Sequence, residues 1–330
     1  MSPNNFDLIR LFAALQVAAL HMMTHLGLYP AAASILSIIP GVPVFFFVSG
    51  FLISRNYERS PSGYLRNRFL RIAPALWLSV LISLALIFTL FGWSPILLPW
   101  ALAQGTILQA WNPEFLNGFG IGVANGALWT IAVEIGFYAM VPIVYRAARI
   151  DCAILIVSAL SLVVFLLLGP VTGTIRKAAF ITSIPWFWMF GTGMLAQRQF
   201  AHLRPLVEGR FLYWCAGLAL VIVVGDAAEC PQLFAIGRNE VGVIVFIALA
   251  GTTLAAAYSA PTLAGRLLHR QDVSYGIYVY HMPVVNTLIV LGVHSFALAL
   301  VSTVGAALLS WFLVERRVLF FKHAMISPAR

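Results

Sequence analysis

Phe6-Asp-Leu-Ile-Arg10-Leu-Phe-Ala-Ala-Leu-Gln-Val-Ala-Ala-Leu-His21-Met-Met-Thr-His25-Leu-Gly-Leu28 is long and apolar enough to cross a bilayer as one helix, yet it carries Arg10 and His21. Eleven residues separate the two side chains, three helical turns, so they share roughly one face about 16 Å apart along the axis. Asp7 precedes Arg10 by one turn, and His25 follows His21 by one turn. An ionisable residue inside a span reads by default as part of a functional site. The plainer readings are an arginine that snorkels to the interface and a histidine that hydrogen-bonds a neighbouring helix. This stretch alone leaves both readings open.

The rest of the chain has the same character. Of 330 residues, 61% are hydrophobic and 9% charged, against about 25% charged in soluble domains. That excludes an ordinary soluble enzyme and predicts an all-α, polytopic bundle in the membrane. No long polar segment is left over, so residues 1–330 are expected to form a single transmembrane domain with no additional soluble domain. The first apolar stretch has no basic leader and no small-residue cleavage site, so it reads as retained rather than removed. Cys152, Cys215 and Cys230 have neither disulfide nor metal-ligand spacing, and no metal site is expected.

Apolar runs between polar breaks give about ten spans: Phe6 to Leu28, Leu36 to Ser54, Ile72 to Gly92, Ala124 to Tyr145, Cys152 to Gly169, Ala178 to Gln197, Phe211 to Val224, Val241 to Tyr258, Val273 to Leu291 and Ser295 to Val314. Ile96 to Trp111 reads as a re-entrant or interfacial helix, and Phe211 to Val224 is short. With the N-terminus inside, Arg55, Arg59, Arg66, Arg68 and Arg71 fall in the first inner loop and Arg146 and Arg149 in the second. Arg198, Arg204 and Arg210 occupy the third, Arg266 and Arg270 the fourth, and Arg316, Arg317, Lys322 and Arg330 the tail. Only Arg176, Lys177 and Arg238 fall outside. This asymmetry places both termini in the cytoplasm and attributes the net charge of +9 to topology, with no nucleic-acid partner.

Trp93 to Val123, the longest outer connection, has no Lys or Arg. Its Trp93, Trp111, Asn112 and Glu114 combine aromatic faces with amide and carboxylate groups, which suits a sugar ring with apolar C–H faces and hydroxyls. An interfacial aromatic belt is the alternative.

Four further motifs follow. Gly41-Val-Pro-Val-Phe-Phe-Phe-Val-Ser-Gly50-Phe-Leu-Ile53 reads as packing, with Ser49-Gly50 admitting a close neighbour. Tyr64-Leu-Arg66-Asn-Arg68-Phe-Leu-Arg71-Ile-Ala-Pro74 gathers guanidinium forks suited to phosphate, or forms a basic loop against anionic lipid. In Gly126-Ala-Leu-Trp129-Thr-Ile-Ala-Val-Glu134-Ile-Gly-Phe-Tyr138, Glu134 lies inside a predicted span, where a carboxylate must be protonated or paired. Trp129 and Tyr138 offer a stacking surface and a hydroxyl. Ser274-Tyr-Gly-Ile-Tyr278-Val-Tyr-His281-Met-Pro283 puts Ser274, Tyr278 and His281 on one face, with a kink expected at Pro283.

Taken in order, Arg10…His21, Phe-Phe-Val-Ser-Gly-Phe-Leu-Ile, Arg-x-x-Arg-Ile-x-Pro, Leu-Trp-x-x-x-Val-Glu-x-x-Phe-Tyr and Ser-Tyr-x-x-Tyr-x-x-His-x-Pro closely resemble the type-three membrane acyltransferase family, from about Asn5 to Arg317. Glu315-Arg-Arg-Val departs from the Glu-x-Pro of many members, and Glu315 is not assigned a catalytic role. The resemblance implies transfer of an acyl group from acetyl-coenzyme A, or another acyl-coenzyme A used as cosubstrate, to a hydroxyl of a carbohydrate or lipid-linked glycan outside a bacterial inner membrane. No permanently bound cofactor is implied. His21 is then the expected general base, with Arg10 and Glu134 as supporting charges. Arg66, Arg68, Arg71, Trp129, Tyr138, Tyr278 and His281 are expected at the donor, and Trp93, Trp111, Asn112 and Glu114 at the acceptor. An acyl-histidine intermediate is a second route. Transfer to nitrogen or to a small molecule such as an antibiotic is the rival chemistry. A transporter is the rival class, although the chain has no clear internal repeat.

Overall fold

The computed structural model describes residues 3–319 apart from Glu229, Arg238 and Arg270. The basic positions Arg238, Arg270, Lys322 and Arg330 therefore lie outside the described residues. Helices dominate, and among the described residues the sole β-type pairing is an isolated bridge between Ile236 and Val241.

Each of the ten predicted spans contains a helix. They are α1 (Phe6–His25), α2 (Gly41–Arg59), α3 (Tyr64–Phe91), α4 (Trp129–Val144) and α5 (Ile150–Leu168), then α6 (Phe187–Arg198), α7 (Phe211–Ala227), α8 (Val243–Tyr258), α9 (Ser274–Val290) and α10 (Phe296–Ser310). By length and apolarity, five helical stretches of the described residues suffice to cross a membrane: those of α1, α2, α3, α5 and α10. The count rises to seven if two bent pairs are each one span: Thr174–Phe180 with Ile184–Arg198, bent by 66°, and Phe200–Val207 with Phe211–Ala227, bent by 88°. Helices α4 and α8 are apolar but shorter.

Two boundaries differ from the sequence expectation. Helix α3 begins at Tyr64, so the basic segment expected in a loop is helical. Its 28 residues rise about 42 Å, more than the ~30 Å of hydrocarbon. The first turns, with Arg66 and Arg68, can thus remain helical outside the apolar layer. Helix α4 begins at Trp129, not Ala124, because residues 124–128 make turns held by side chains. Glu134 therefore stands in the second turn of its helix.

Backbone contacts group the described chain into two compact units. The first holds the described residues up to Gln16, Ser34–Pro61 and Gly136–Gln271. Its centre is the α2–α6 pair. A Cβ on Gly50 would stand 1.9 Å from the carbonyl oxygen of Phe190, and one on Gly193 2.1 Å from that of Phe47. The two backbones touch reciprocally, so Ser49-Gly50 performs the packing role expected of it. Phe137 packs around this contact, with ring centroids 4.6 Å from Phe190 and 5.2 Å from Phe46. Two amide side chains tie segments of this unit together. Gln16 donates to the Leu36 carbonyl (2.8 Å) and accepts from the Gly41 amide (2.9 Å). Asn5 donates to the Ala260 carbonyl (2.9 Å) and accepts from the Ala264 amide (2.9 Å).

The second unit holds Val17–Ala33, Ser62–Ile135 and the described residues from Asp272 onward. Helix α9 is buried along most of its length and packs against α10 and α3. Beside them, Ile87, Leu97, Trp100, Leu116, Phe119 and Ala124 form an apolar cluster, so much of the long aromatic connection is core.

Replacing Gly193 or Gly50 with Val should separate α2 from α6. Overpacking costs about 1–3 kcal/mol or more, so the melting temperature of the purified protein in detergent should fall clearly. An unchanged melting curve for both variants would contradict the contact.

Candidate active site

In the second unit, α1 and α9 bring together two histidines 260 positions apart. His21 Nδ1 lies 2.8 Å from His281 Nε2. The ring centroids are 5.1 Å apart, so the contact is an in-plane hydrogen bond more than a face-to-face stack. His281 is fully buried, and its Nδ1 lies 3.3 Å from the Ile277 carbonyl. His21 is only half-buried, with the His25 ring 5.5 Å away one turn further on. Of the bonded pair, His21 is the more exposed imidazole, whereas His281, expected at the donor, is buried and faces His21.

Helix α9 holds His281 by exploiting its own defect. Pro283 has no N–H, so the Val279 carbonyl loses its helical partner. Asn125 Nδ2 supplies a bond at 2.8 Å and Ser79 Oγ another at 3.3 Å. Tyr278 is held as well: its hydroxyl lies 2.6 Å from Thr130 Oγ1 and 3.3 Å from the Ala127 carbonyl. Glu134 follows Thr130 by one turn on α4, which puts it on the side of the helix that meets α9. Trp129 opens α4 and is half-buried. Arg10 and Tyr138 belong to the first unit.

Beyond His281, Asn286 clamps the connection between α3 and α4. Its amide donates to the Val123 and Ala124 carbonyls, both at 2.9 Å, and accepts from the Ile121 amide at 3.1 Å. Gly120 has φ +58°, and a Cβ there would stand 2.1 Å from Asn286 Oδ1. Only glycine fits that approach. Asn112 accepts from the Ala124 amide (3.3 Å), so its side chain serves the loop itself. Trp93, Trp111 and Glu114 are exposed.

The other end of the unit carries charge. Arg71 Nη2 is 2.5 Å from Asp272 Oδ2, and Arg71 Nη1 is 3.9 Å from Glu315 Oε2. Glu315 is 3% exposed and closes a five-residue π turn, Trp311–Glu315. It accepts from Ser310 Oγ at 3.0 Å, and Ser310 accepts from Tyr280 at 2.9 Å. Ser274 Oγ donates to Asp272. Arg71 is therefore engaged by two carboxylates, while Arg66 is exposed and Arg68 half-buried in the turns before it. Among the described residues, no group of three His, Cys, Asp or Glu side chains is placed to hold a metal ion.

Sequence reasoning missed Asp272, Thr130, Asn125 and Asn286, and it set Glu315 aside. Asp272 lies two residues before the Ser274 motif and Asn286 three after Pro283, so proximity to a motif was the available signal.

The chain matches the family model for the type-three acyltransferase domain over residues 4–315. It belongs to the acyltransferase-3 family. It is 34% identical to nodulation protein 10 of Rhizobium leguminosarum bv. viciae, over 98% of this chain and 95% of that protein. It is 28% identical to an O-acetyl transferase of Shigella phage Sf6, over 96% of each. A shorter match, 30% identical over 43% of this chain and 38% of the relative, is to acyltransferase MdmB of Streptomyces mycarofaciens. No solved structure matches the chain. Within the acyltransferase-3 family the chain is an acyltransferase with membrane-type helices, and nothing in the match supports the transporter class.

Arg71→Ala would leave Asp272 and Glu315 facing each other without their cation. Removing the cation of a partly buried cluster leaves the buried Glu315 beside a second carboxylate, so thermal stability in detergent should drop. Arg66→Ala, at an exposed position, should melt like the wild type. Equal melting of Arg71→Ala and wild type would show that the cluster contributes nothing.

Proposed function

We propose that the protein transfers an acyl group, in the first instance acetyl from acetyl-coenzyme A, to a hydroxyl of a carbohydrate or glycolipid at the outer face of the bacterial cytoplasmic membrane. The observation that carries this reading is the exposed half of the histidine pair. His21 Nδ1 is bonded to His281, and the other ring nitrogen, Nε2, is the one we assign to the acceptor. His21 Nε2 takes the acceptor O–H proton as the oxygen attacks the thioester carbonyl carbon. The C–S bond breaks, and the departing thiolate receives that proton to give the ester and free coenzyme A. Imidazole suits the task because its unperturbed titration lies near neutral pH. The name of the phage relative, an O-acetyl transferase, favours oxygen as the acceptor and acetyl as the group.

Arg10 and Glu134 act as supporting charges in this reading. Arg66 and Arg68 receive the phosphates of the donor, and Arg71, engaged by Asp272 and Glu315, shapes the entrance beside them. Trp129 and Tyr278 line the donor arm with ring surface, since the Tyr278 hydroxyl is already bonded, and Tyr138 is assigned to the donor from its motif. Trp93, Trp111 and Glu114 face the acceptor, with Asn112 shaping the loop that bears them. Acyl-coenzyme A, the acceptor and the bilayer are the partners. Nucleic acid is not one, and no cofactor or metal is held between turnovers.

We also propose ten crossings with both termini cytoplasmic in one membrane domain. Support comes from which helix ends meet inside each unit. In the first, Glu58 after the apolar part of α2, Tyr145 after α4, Asp151 at the start of α5 and Arg198 at the end of α6 form one polar cluster. Arg198 contacts Glu58 at 2.6 Å and also Asp151, and Tyr145 donates to Glu58 at 3.1 Å. In the second, Arg71, Asp272 and Glu315 mark one end. The bond from His294 to the Leu26 carbonyl and the Tyr29–Phe296 ring pair mark the other. Alternating passes bring those ends together.

His21→Ala should lower kcat by about 10²–10⁴-fold with the protein folded and inserted, while Arg66→Ala with Arg68→Ala should instead raise the KM for acetyl-coenzyme A. Release of free thiol by the purified protein with cell-surface glycan extracts measures both. Wild-type turnover by His21→Ala would refute the base. For topology, a green fluorescent protein fused after the C-terminus should glow and an alkaline phosphatase fused there should stay inactive. The opposite pattern would refute a cytoplasmic C-terminus.

A further inference from the structure

Within the reading of His21 as base, we infer that His281 is a positioning residue that fixes the tautomer of His21 through the Ile277 carbonyl. A carbonyl oxygen can only accept, so the 3.3 Å contact assigns the proton of a neutral His281 to Nδ1. His281 Nε2 is then a lone pair. The partner nitrogen 2.8 Å away, Nδ1 of His21, must therefore carry a hydrogen to make the bond. His21 is left with its lone pair on Nε2, the nitrogen turned away from His281. A backbone oxygen thereby dictates which nitrogen of the reactive ring is basic.

The relay holds only if α9 does not slide or rotate. The Val279 carbonyl freed by Pro283 is taken by Asn125 and Ser79, and Tyr278 is bonded to Thr130. Three side chains from two other segments thus grip the turn that carries His281. Full burial of His281 keeps water from substituting for His21 as its partner. The ring is placed to orient a base and not to touch a substrate, which differs from the donor role expected from its motif.

The test uses the full-length protein with ¹⁵N-labelled histidine rings in lipid nanodiscs. The His21 ring signals, assigned by their loss in His21→Ala, should show protonated Nδ1 and unprotonated Nε2 in the wild type. His281→Leu removes the acceptor, and His21 should then lose that single tautomer. Its kcat for thiol release from acetyl-coenzyme A should fall about 10²-fold or more at unchanged donor KM. His281→Gln keeps an oxygen acceptor near the place of Nε2 and should restore kcat to within about tenfold.

A wild-type His21 protonated at Nε2 would overturn the inference even if His281→Leu does not fold. So would full activity in a folded His281→Leu, or a folded His281→Gln as slow as His281→Leu. In each case an inactive His21→Ala would leave the base reading standing, whereas an active His21→Ala would remove the base reading alone.

Discussion

A polar atom within hydrocarbon has no water to bond, so each must find its partner in the protein. In the second unit this constraint centres on the Val279 carbonyl. Pro283 deprives it of its helical donor, and Asn125 and Ser79 restore two bonds from other segments. The repair ties the turns before α4 and the middle of α3 to α9 at the depth of His281. Asn286, one turn beyond Pro283, repeats the device by capturing two carbonyls and an amide of the connection between α3 and α4. Helix α9 is thus held less by apolar complementarity, which lipid would also offer, than by bonds lipid cannot offer.

Helices were legible because their signal is local. Apolar runs of the right length required nothing distant, and each of the ten predicted segments contains a helix. The Gly50 contact was legible for a similar reason: a small residue amid phenylalanines predicts close approach, although it does not name Gly193 as the partner. Boundaries at polar segments were harder. Tyr64 to Arg71 reads as a loop by its charge, yet arginine is a good helix former and the segment extends α3. Residues 124–128 read as span by their apolarity, but side chains of Asn125 and Asn286 hold them in turns.

The site itself was legible only as separate motifs. His21 and His281 were each singled out, but no local periodicity pairs residues 260 positions apart. Their contact gives His281 a partner that its own motif does not name. Glu315 was set aside because its motif lacks the usual proline, yet the structure places it with Arg71 and Asp272. The three charges lie on three segments whose order along the chain says nothing of their distance. A single sequence shows which residues are costly to bury. It does not show which residue offsets the cost.

The two ends of the second unit also constrain the chemistry. Ser274, beside the Arg71 cluster, and His281 are seven residues apart on α9, about 10 Å of rise. A donor whose phosphates stop at the arginines must therefore present its reactive group on a thin arm at least that long. Bulky or charged groups following such an arm past a helix as buried as α9 would incur a desolvation cost. The long arm of an acyl thioester meets this requirement, and a phosphate ester with its charge at the reacting atom does not. The half-exposure of His21 beside a fully buried His281 is what the proposed reading requires: a ring shielded enough to keep its bond to His281, yet open on one side.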